Sequence, residues 1–563
     1  MTDLTFDHLY PYAELTDALH GLAAAHSELV ELGSAGQSHE GRDIWLATIT
    51  NRATGPHDEK PALFVEANIH ATEITASTAA LHLVHHLATR YGSDESVTRA
   101  LDTRTFYVIP RLNPDGVELA LAPDPKYLRS STRIYPRPDQ QPGLVEQDID
   151  GDGRILTMRV PDPNGSWKVH PDDARLLVPR AIDEDGLGDY FRLLPEGVIH
   201  EYDGVMIPIA PEHRSLDLNR NFPQDWLPEG AQQGAGPFPT SEPEVRALVE
   251  AVVARPNICA YIAYHTFSAV ILRPYGGYAD EHFPTPDLRT YQALGKRGTE
   301  ITGYEAVSVF HDFKYDPKTS ITGASDEWAY DHLGIFGWTT EFWSPIRAAG
   351  ITDYKYIDWF DDHPVEDDLR LLRWNDDALG GTGFVDWYPF DHPQLGRVEI
   401  GGWDFFRTWT NAPPAFMAAE VAPHSEWAVA HQLASPLLSV RSFTADPLGD
   451  GLWRLRLVVE NTGWMPTNVS KKALERKAVR PVEAEIELPD GASLATGDPR
   501  QQLGQLAGHA RARQALAMFD GGFDPTDDRA QAQWVVRAAP GTTIRATARH
   551  ARAGTTRAEL TLP

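Results

Sequence analysis

The chain has 563 residues, 42% of them hydrophobic and 23% charged, which is ordinary for a folded protein and too long for one compact core. Its 50 Lys and Arg stand against 80 Asp and Glu, and the formal charge of -30 argues against nucleic acid or an anionic membrane as partner. The single cysteine, Cys259, excludes an internal disulfide, and the first residues carry neither a basic start nor a long apolar run, which predicts a cytoplasmic protein.

From about residue 10 to 433 apolar runs alternate with helix-like stretches, predicting an α/β domain over residues 1–435. Strands are predicted at 44–49, 63–65, 105–109 and 261–264, and Cys259 reads as a core thiol beside the last of them. Directly after the second strand stands His70-Ala71-Thr72-Glu73, an imidazole and a carboxylate that reach one point if a helix starts there. That helix is predicted over 75–90, with Leu81, Val84 and Leu87 on one side; its His82, His85 and His86 read as packed or solvated residues. Residues 136–213 are rich in Pro, Asp and Gly without periodicity, a loop-rich insertion. Within it Asp148, Asp150 and Asp152, followed by Gly153, match the opening of a calcium loop. Arg159 stands where the bidentate Glu belongs, which leaves a partial Ca²⁺ site completed elsewhere or a plain acidic turn. Aromatic residues Phe384, Trp387, Tyr388 and Phe390, with Trp403, either line a cleft or pack a loop. After Leu437 strict alternation takes over: Trp453, Leu455, Leu457 and Val459, then Val482, Ala484, Ile486 and Leu488. Period-2 patterning predicts half-buried antiparallel strands, hence a β-sandwich over 436–563.

Five strings occur in one order: Asn68-Ile69-His70-Ala71-Thr72-Glu73, Arg111-Leu112-Asn113-Pro114-Asp115-Gly116, Asp217-Leu218-Asn219-Arg220-Asn221, Tyr264-His265-Thr266-Phe267-Ser268 and Gly337-Trp338-Thr339-Thr340-Glu341. In this order they resemble the zinc carboxypeptidase family typified by carboxypeptidase A. The resemblance implies a mixed twisted sheet flanked by helices, with Zn²⁺ held by His70, Glu73 and His265 and one position left for water. It assigns Glu341 as the general base that takes a proton from the attacking water and passes it to the leaving amine. Arg129 aligns with the oxyanion-stabilising arginine, with Arg133 as rival. Asn219 and Arg220 match the pair that grips the substrate's terminal carboxylate, Arg through its planar fork. Asp217 matches the carboxylate that orients a zinc-bound histidine, here His70.

Two positions depart from the family pattern. A tyrosine is missing just before Ser325-Asp326-Glu327-Trp328, and Tyr315 is the nearest candidate, which bears on strict exopeptidase action. Asp326 falls where the family sets its side-chain pocket; it either favours a C-terminal Lys or Arg or is an exposed helix-start residue. The function these residues predict is a zinc metallocarboxypeptidase acting on peptides with a free C-terminal carboxylate. The alternatives are an amidase or endopeptidase on cell-wall-type peptides or N-acyl amino acids, and a non-catalytic peptide-binding protein.

Overall fold

Strands apolar on both faces need cover on both sides, and the order of elements supplies it. The structure, a computed structural model, describes residues 4–184, 186, 188–314, 318, 321–352, 354–511 and 525–563. Strands β1 (Val30–Gln37), β2 (Asp43–Ile49), β3 (Ala62–Ala67), β4 (Thr105–Ile109), β5 (Ile258–Thr266), β6 (Val270–Arg273), β7 (Glu305–Ser308) and β8 (Phe336–Phe342) form one sheet in the order β1-β2-β4-β3-β5-β8-β6-β7. The central run β4-β3-β5-β8 is parallel, while β1/β2, β2/β4 and β6/β8 are antiparallel, so the sheet is mixed. Helices α1 (Tyr12–Ala25), α2 (Ile74–Arg90), α3 (Pro243–Val253), α4 (Thr285–Thr302), α5 (Ser325–Leu333) and α6 (Pro414–Leu433) pack on its faces.

The pleat divides the side chains between two cores. Leu63, Val65, Phe106, Val108, Ile262 and Tyr264 meet α1, α2, α4 and α6 on one face. Phe64, Tyr107, Ile109, Tyr261 and Ala263 meet α3 and α5 on the other. Each fully buried side chain of this size contributes about 1.5–3 kcal/mol, which is what holds the sheet's carboxyl ends in place. The four predicted strands lie within β2, β3, β4 and β5, and the predicted helix is α2. Cys259 is buried on β5, and burial pushes its thiol up to about 12.

The segment read as loop-rich carries strands of its own. Gly143–Glu146 pairs with Gly197–His200, and Thr157–Pro161, Trp167–Val169, Leu177–Pro179 and Tyr190–Pro195 join Phe384–His392 and Gly396–Trp403 in a six-stranded sheet. These pieces are three to six residues long within the insertion, too short for alternation to rise above the Pro, Asp and Gly around them. The aromatic residues Phe384, Trp387, Tyr388, Phe390 and Trp403 are strand residues of that sheet.

From residue 438 on, two four-stranded antiparallel sheets face each other. Leu455, Leu457, Val459, Trp534 and Val536 of one meet Ala484, Ile486, Ile544, Ala546 and Ala548 of the other, the interior of a sandwich. It is fastened to the α/β part by charged contacts. Asp287 of α4 accepts the backbone N–H groups of Lys471 (2.7 Å) and Lys472 (3.0 Å), and Lys472 and Arg476 both reach Asp331 of α5. No helix among the described residues is long and apolar enough to cross a membrane.

Candidate metal centre

The carboxyl ends of parallel strands are where open α/β sheets place their sites, and four of the predicted residues arrive there: His70 and Glu73 after β3, His265 on β5 and Glu341 on β8. Past Ala67 the chain turns through Asn68, at φ 62°, whose Nδ2–H donates to the His70 carbonyl at 2.6 Å. Asn113 of the second motif ties this loop down, donating to the carbonyls of Ile69 (3.3 Å) and Ser130 (2.7 Å), and Ala71 N–H donates to the Arg129 carbonyl at 3.0 Å. Glu73 stands at the N-cap of α2 but gives the helix no side-chain hydrogen bond. Its carboxylate turns inward instead: Oε1 lies 2.8 Å from Nδ1 of His70, and Oε2 lies 3.0 Å from Nδ1 of His265.

The two Nδ1 atoms are 3.1 Å apart, and the donor atoms of His70, Glu73 and His265 all lie within 4.8 Å of one another. All three residues are at least 95% buried. Two neutral imidazoles facing nitrogen to nitrogen share at most one proton, whereas a cation between them satisfies both together with the carboxylate. This donor set fits zinc, with two imidazole nitrogens, one carboxylate and room for a fourth position. Burial alone would raise the Glu73 carboxyl, but His70 and His265 beside it hold it well below the usual carboxylate range.

Asp217 accepts from Nε2 of His70 (3.2 Å) and from Nε–H of Arg129 (3.0 Å), and Arg129 NH1 also reaches Oε1 of Glu73 at 3.3 Å. Against its burial, Arg129, Arg220 and His70 hold the Asp217 carboxyl well below its ordinary value. Arg133 is elsewhere, paired with Glu242 at 2.5 and 2.8 Å. Asn219 and Arg220 sit on the short turn Leu218–Arg220 that Asp217 caps through Asn219 N–H (2.8 Å). Glu341 stands in parallel register with His265. It lines one pocket with His70, Arg129, Asn219 and Arg220, and its carboxylate takes no hydrogen bond from a described residue. Burial, reinforced by Glu73 and Asp326 and opposed by His265 and Arg129, pushes it up to about 8.

Asp326 lies in the wall of the same pocket and is 4% exposed, so the exposed helix-start reading does not hold. The cause is close packing under α5: a Cβ at Gly337 of β8 would stand 2.1 Å from the Asp326 carbonyl oxygen. Glu327, the next residue, lines the pocket too, and burial with Asp326 beside it pushes it up to about 8. Its neighbour Asp326 carries the family's pocket position in the string Ser325-Asp326-Glu327-Trp328, and nothing in the spacing marks Glu327 as a second wall residue. Tyr315 lies outside the described residues.

His82 donates to or accepts from Ser425 at 2.8 Å between α2 and α6, away from the trio. In the acidic loop, ligand atoms of Asp148, Asp150 and Glu196 fall within 4.8 Å, whereas Asp152 turns to Arg154. Every oxygen of the three already accepts a hydrogen bond: from Gly151 and Gly153 N–H, from Asp152 N–H and Tyr388 O–H, and from Ile149 and Leu156 N–H. These bonds tie the loop to Glu196 and Tyr388, and calcium gains no support from them.

Fold and donor set together give a mixed α/β sheet with a His–Glu–His trio of zinc-ligand type at its carboxyl edge. A family model described as zinc carboxypeptidase matches residues 15–168 and 206–355, more than half of the chain. The chain belongs to the zinc carboxypeptidase family. A second model, for a domain of unknown function, matches residues 437–561. Among curated proteins, human carboxypeptidase A6 is 21% identical over 346 residues, 59% of each chain. Carboxypeptidase A1 of Mus musculus is 23% identical over 351 residues, 62% of this chain and 64% of that protein. The chain thus spans about three fifths of the length of these relatives. Among solved structures, thrombin activatable fibrinolysis inhibitor aligns over 76% of this chain and 75% of its own at 16% identity, with a TM-score of 0.42.

Proposed function

We propose that the chain is a zinc-dependent carboxypeptidase that hydrolyses the C-terminal peptide bond of a peptide with a free carboxylate. The observation that carries this is the meeting of His70, Glu73 and His265 at one buried point, with the unbonded carboxylate of Glu341 in the pocket beside them. In this reading the trio holds Zn²⁺, which when bound lowers the pKa of water and polarises a carbonyl. Glu341 takes the proton of the attacking water and delivers it to the leaving amine. A cation close by favours its charged form, opposing the burial that otherwise protonates it. Arg129, held by Asp217 and Glu73, offers its guanidinium to the oxyanion that develops on the scissile carbonyl. Asn219 and Arg220 grip the terminal carboxylate, and Asp326 with Glu327 lines the pocket with carboxyls whose charged form, opposed by burial, a C-terminal Lys or Arg would favour. Residues 1–435 form the catalytic domain and 436–563 an accessory sandwich; the separate interior of the two facing sheets supports that division.

Paired peptides test this, identical except for a free or an amidated C-terminus, with metal content measured on the same sample. The expected result is one zinc per chain, cleavage of the free form alone, and faster release of Lys or Arg than of Leu. Equal cleavage of the amidated form would replace exopeptidase by amidase or endopeptidase action. Zinc binding with no cleavage of either would leave a peptide-binding protein.

A further inference from the structure

Helix α5 runs from the pocket to the sandwich, and each of its ends is held by a different part of the chain. At its start, Ser325 N–H donates to Oδ1 of Asn219 at 2.9 Å. Asp326 and Glu327 of its first turn line the pocket together with Asn219 and Arg220, and Glu327 also accepts the Gly276 N–H. Seven of its nine residues, Ser325 through Asp331, are buried. Packing and the two ends therefore fix where it lies.

The last carbonyls of a helix have no partner inside it, and here the sandwich supplies the partners. Arg476 Nε–H donates to the Asp331 carbonyl at 2.7 Å. Arg552 reaches the Leu333 carbonyl at 2.5 Å and the Gly334 carbonyl at 3.0 Å, and Ser470 Oγ–H adds a second bond to Gly334 at 2.7 Å. The Asp331 carboxylate pairs with Lys472 and Arg476. Gly334, at φ +64°, lies so close to the short helix Lys471–Glu475 that a Cβ on it would stand 2.4 Å from the Ala473 backbone nitrogen. Arg552 is buried and pairs with no carboxylate among the described residues; its charge is met by the negative end of α5. Ser470, Arg476 and Arg552 all lie beyond residue 355, where the match to the zinc carboxypeptidase model ends.

Resting on the carboxypeptidase reading, we infer that the sandwich is a positioning element of the substrate pocket. Ser470, Arg476 and Arg552 hold the carboxyl end of α5 so that Asp326 and Glu327 at its other end, and Asn219 through Ser325, stand where the C-terminal residue of the peptide binds. A helix of nine residues is a stiff rod about 13 Å long, so a shift at one end reaches the other. A misplacement of about 1 Å at a binding group costs up to about 10²-fold. None of the trio lies on α5, nor does Glu341, so the effect falls on substrate binding and leaves the metal in place.

The test uses the full-length, zinc-loaded chain and two free-carboxylate peptides that differ only in ending in Lys or Leu. Arg476→Ala should raise KM for the Lys peptide about fivefold and lower the Lys-to-Leu ratio of kcat/KM to a similar extent, with kcat within about twofold and zinc content unchanged. Arg476→Lys, which keeps a cation beside Asp331, should restore most of both. Arg552→Gln should act as Arg476→Ala does, and more strongly; if it fails to fold, Arg476→Ala, whose side chain is 49% exposed in the wild type, still decides. Leu457→Ala, in the interior of the sandwich, should unfold at lower denaturant yet keep the wild-type KM and ratio. An unchanged KM and ratio in Arg476→Ala, or an equal shift in Leu457→Ala, overturns the positioning role and leaves the carboxypeptidase reading standing. A wild type that cleaves neither peptide overturns that reading and the positioning role with it.

Discussion

One carboxylate, Asp217, holds His70 by Nε2 and Arg129 by Nε–H, so in the proposed site it orients a metal ligand and the oxyanion donor together. Replacing Asp217 by Asn keeps the shape but removes the charge that both partners need. It should weaken zinc binding about 10–100-fold and lower kcat beyond what metal loss explains, because Arg129 loses its anchor. Competition with a chelator reads the first effect, and kcat at saturating zinc reads the second. Glu341→Gln is the opposite case. Glu341 takes no hydrogen bond and is not in the trio, so the variant should bind zinc as tightly as the wild type while kcat falls about 10²–10⁴-fold. Unchanged turnover would remove Glu341 from the mechanism. Residues such as these were legible as spacing, since His70 with Glu73, His265 and Glu341 stand in recognisable strings. What holds them was not. That Asn113 pins two loop carbonyls depends on partners 44 and 17 residues away, and that Asn411 satisfies Thr75 of α2 because Glu73 is occupied depends on a pair 336 residues apart.

Elements were legible where one interaction dominates over a long stretch. The strands β3, β4 and β5 are apolar on both faces, and α2 keeps its period for 17 residues, so both rose above the background. The insertion hid its strands because edge-to-edge pairing across distant segments, 157–161 with 396–403 for example, leaves no mark in either segment alone. The turn that carries Asn219 and Arg220 depends on a similar distant neighbour. Gly323 has φ +70°, and a Cβ there would stand 2.3 Å from the Arg220 carbonyl oxygen. Its N–H donates to Gln224 (2.9 Å) while its carbonyl accepts Phe222 N–H (3.1 Å), which locks the loop before α5 onto the turn. Gly323→Ala should therefore cost about 1–3 kcal/mol in unfolding free energy. It should also raise KM for free-carboxylate peptides severalfold with less effect on kcat, because the displaced atoms belong to Arg220. Steady-state kinetics together with denaturant unfolding separate the two.

Buried histidines occur both in the α/β part and in the sandwich. His424 and His431 lie on α6 and His550 in the sandwich, all at least 95% buried. Neither ring nitrogen of His424 has a partner among the described residues, and its ring rests 4.6 Å from Tyr304 and 4.4 Å from Phe342. Burial pushes His424 down to about 3 and His431 and His550 to about 4, with Arg347 adding to the first and Arg552 to the last. Since an unfolded histidine titrates near 6.5, below that pH the unfolded chain binds protons that the folded chain refuses. Stability from these groups is thus complete above pH 6.5 and is lost as the pH falls, by at most about 1.4 kcal/mol per unit for each. The buried carboxyls run the other way. Glu66, Glu196 and Glu244 are pushed up to about 7 by burial, so the folded chain holds protons that the unfolded chain releases, and these groups add stability as the pH falls from 7 toward 4.5. The net acid profile is a difference of opposed terms, and only a comparison isolates one of them. His424→Leu keeps an apolar side chain of similar size in a site that makes no hydrogen bond. Measured by denaturant unfolding at pH 7, 6 and 5, its stability relative to the wild type should improve steadily as the pH drops, by up to about 1.4 kcal/mol per unit below 6.5. A difference that stays constant across that range would mean His424 takes up its proton in the folded chain as readily as in the unfolded one.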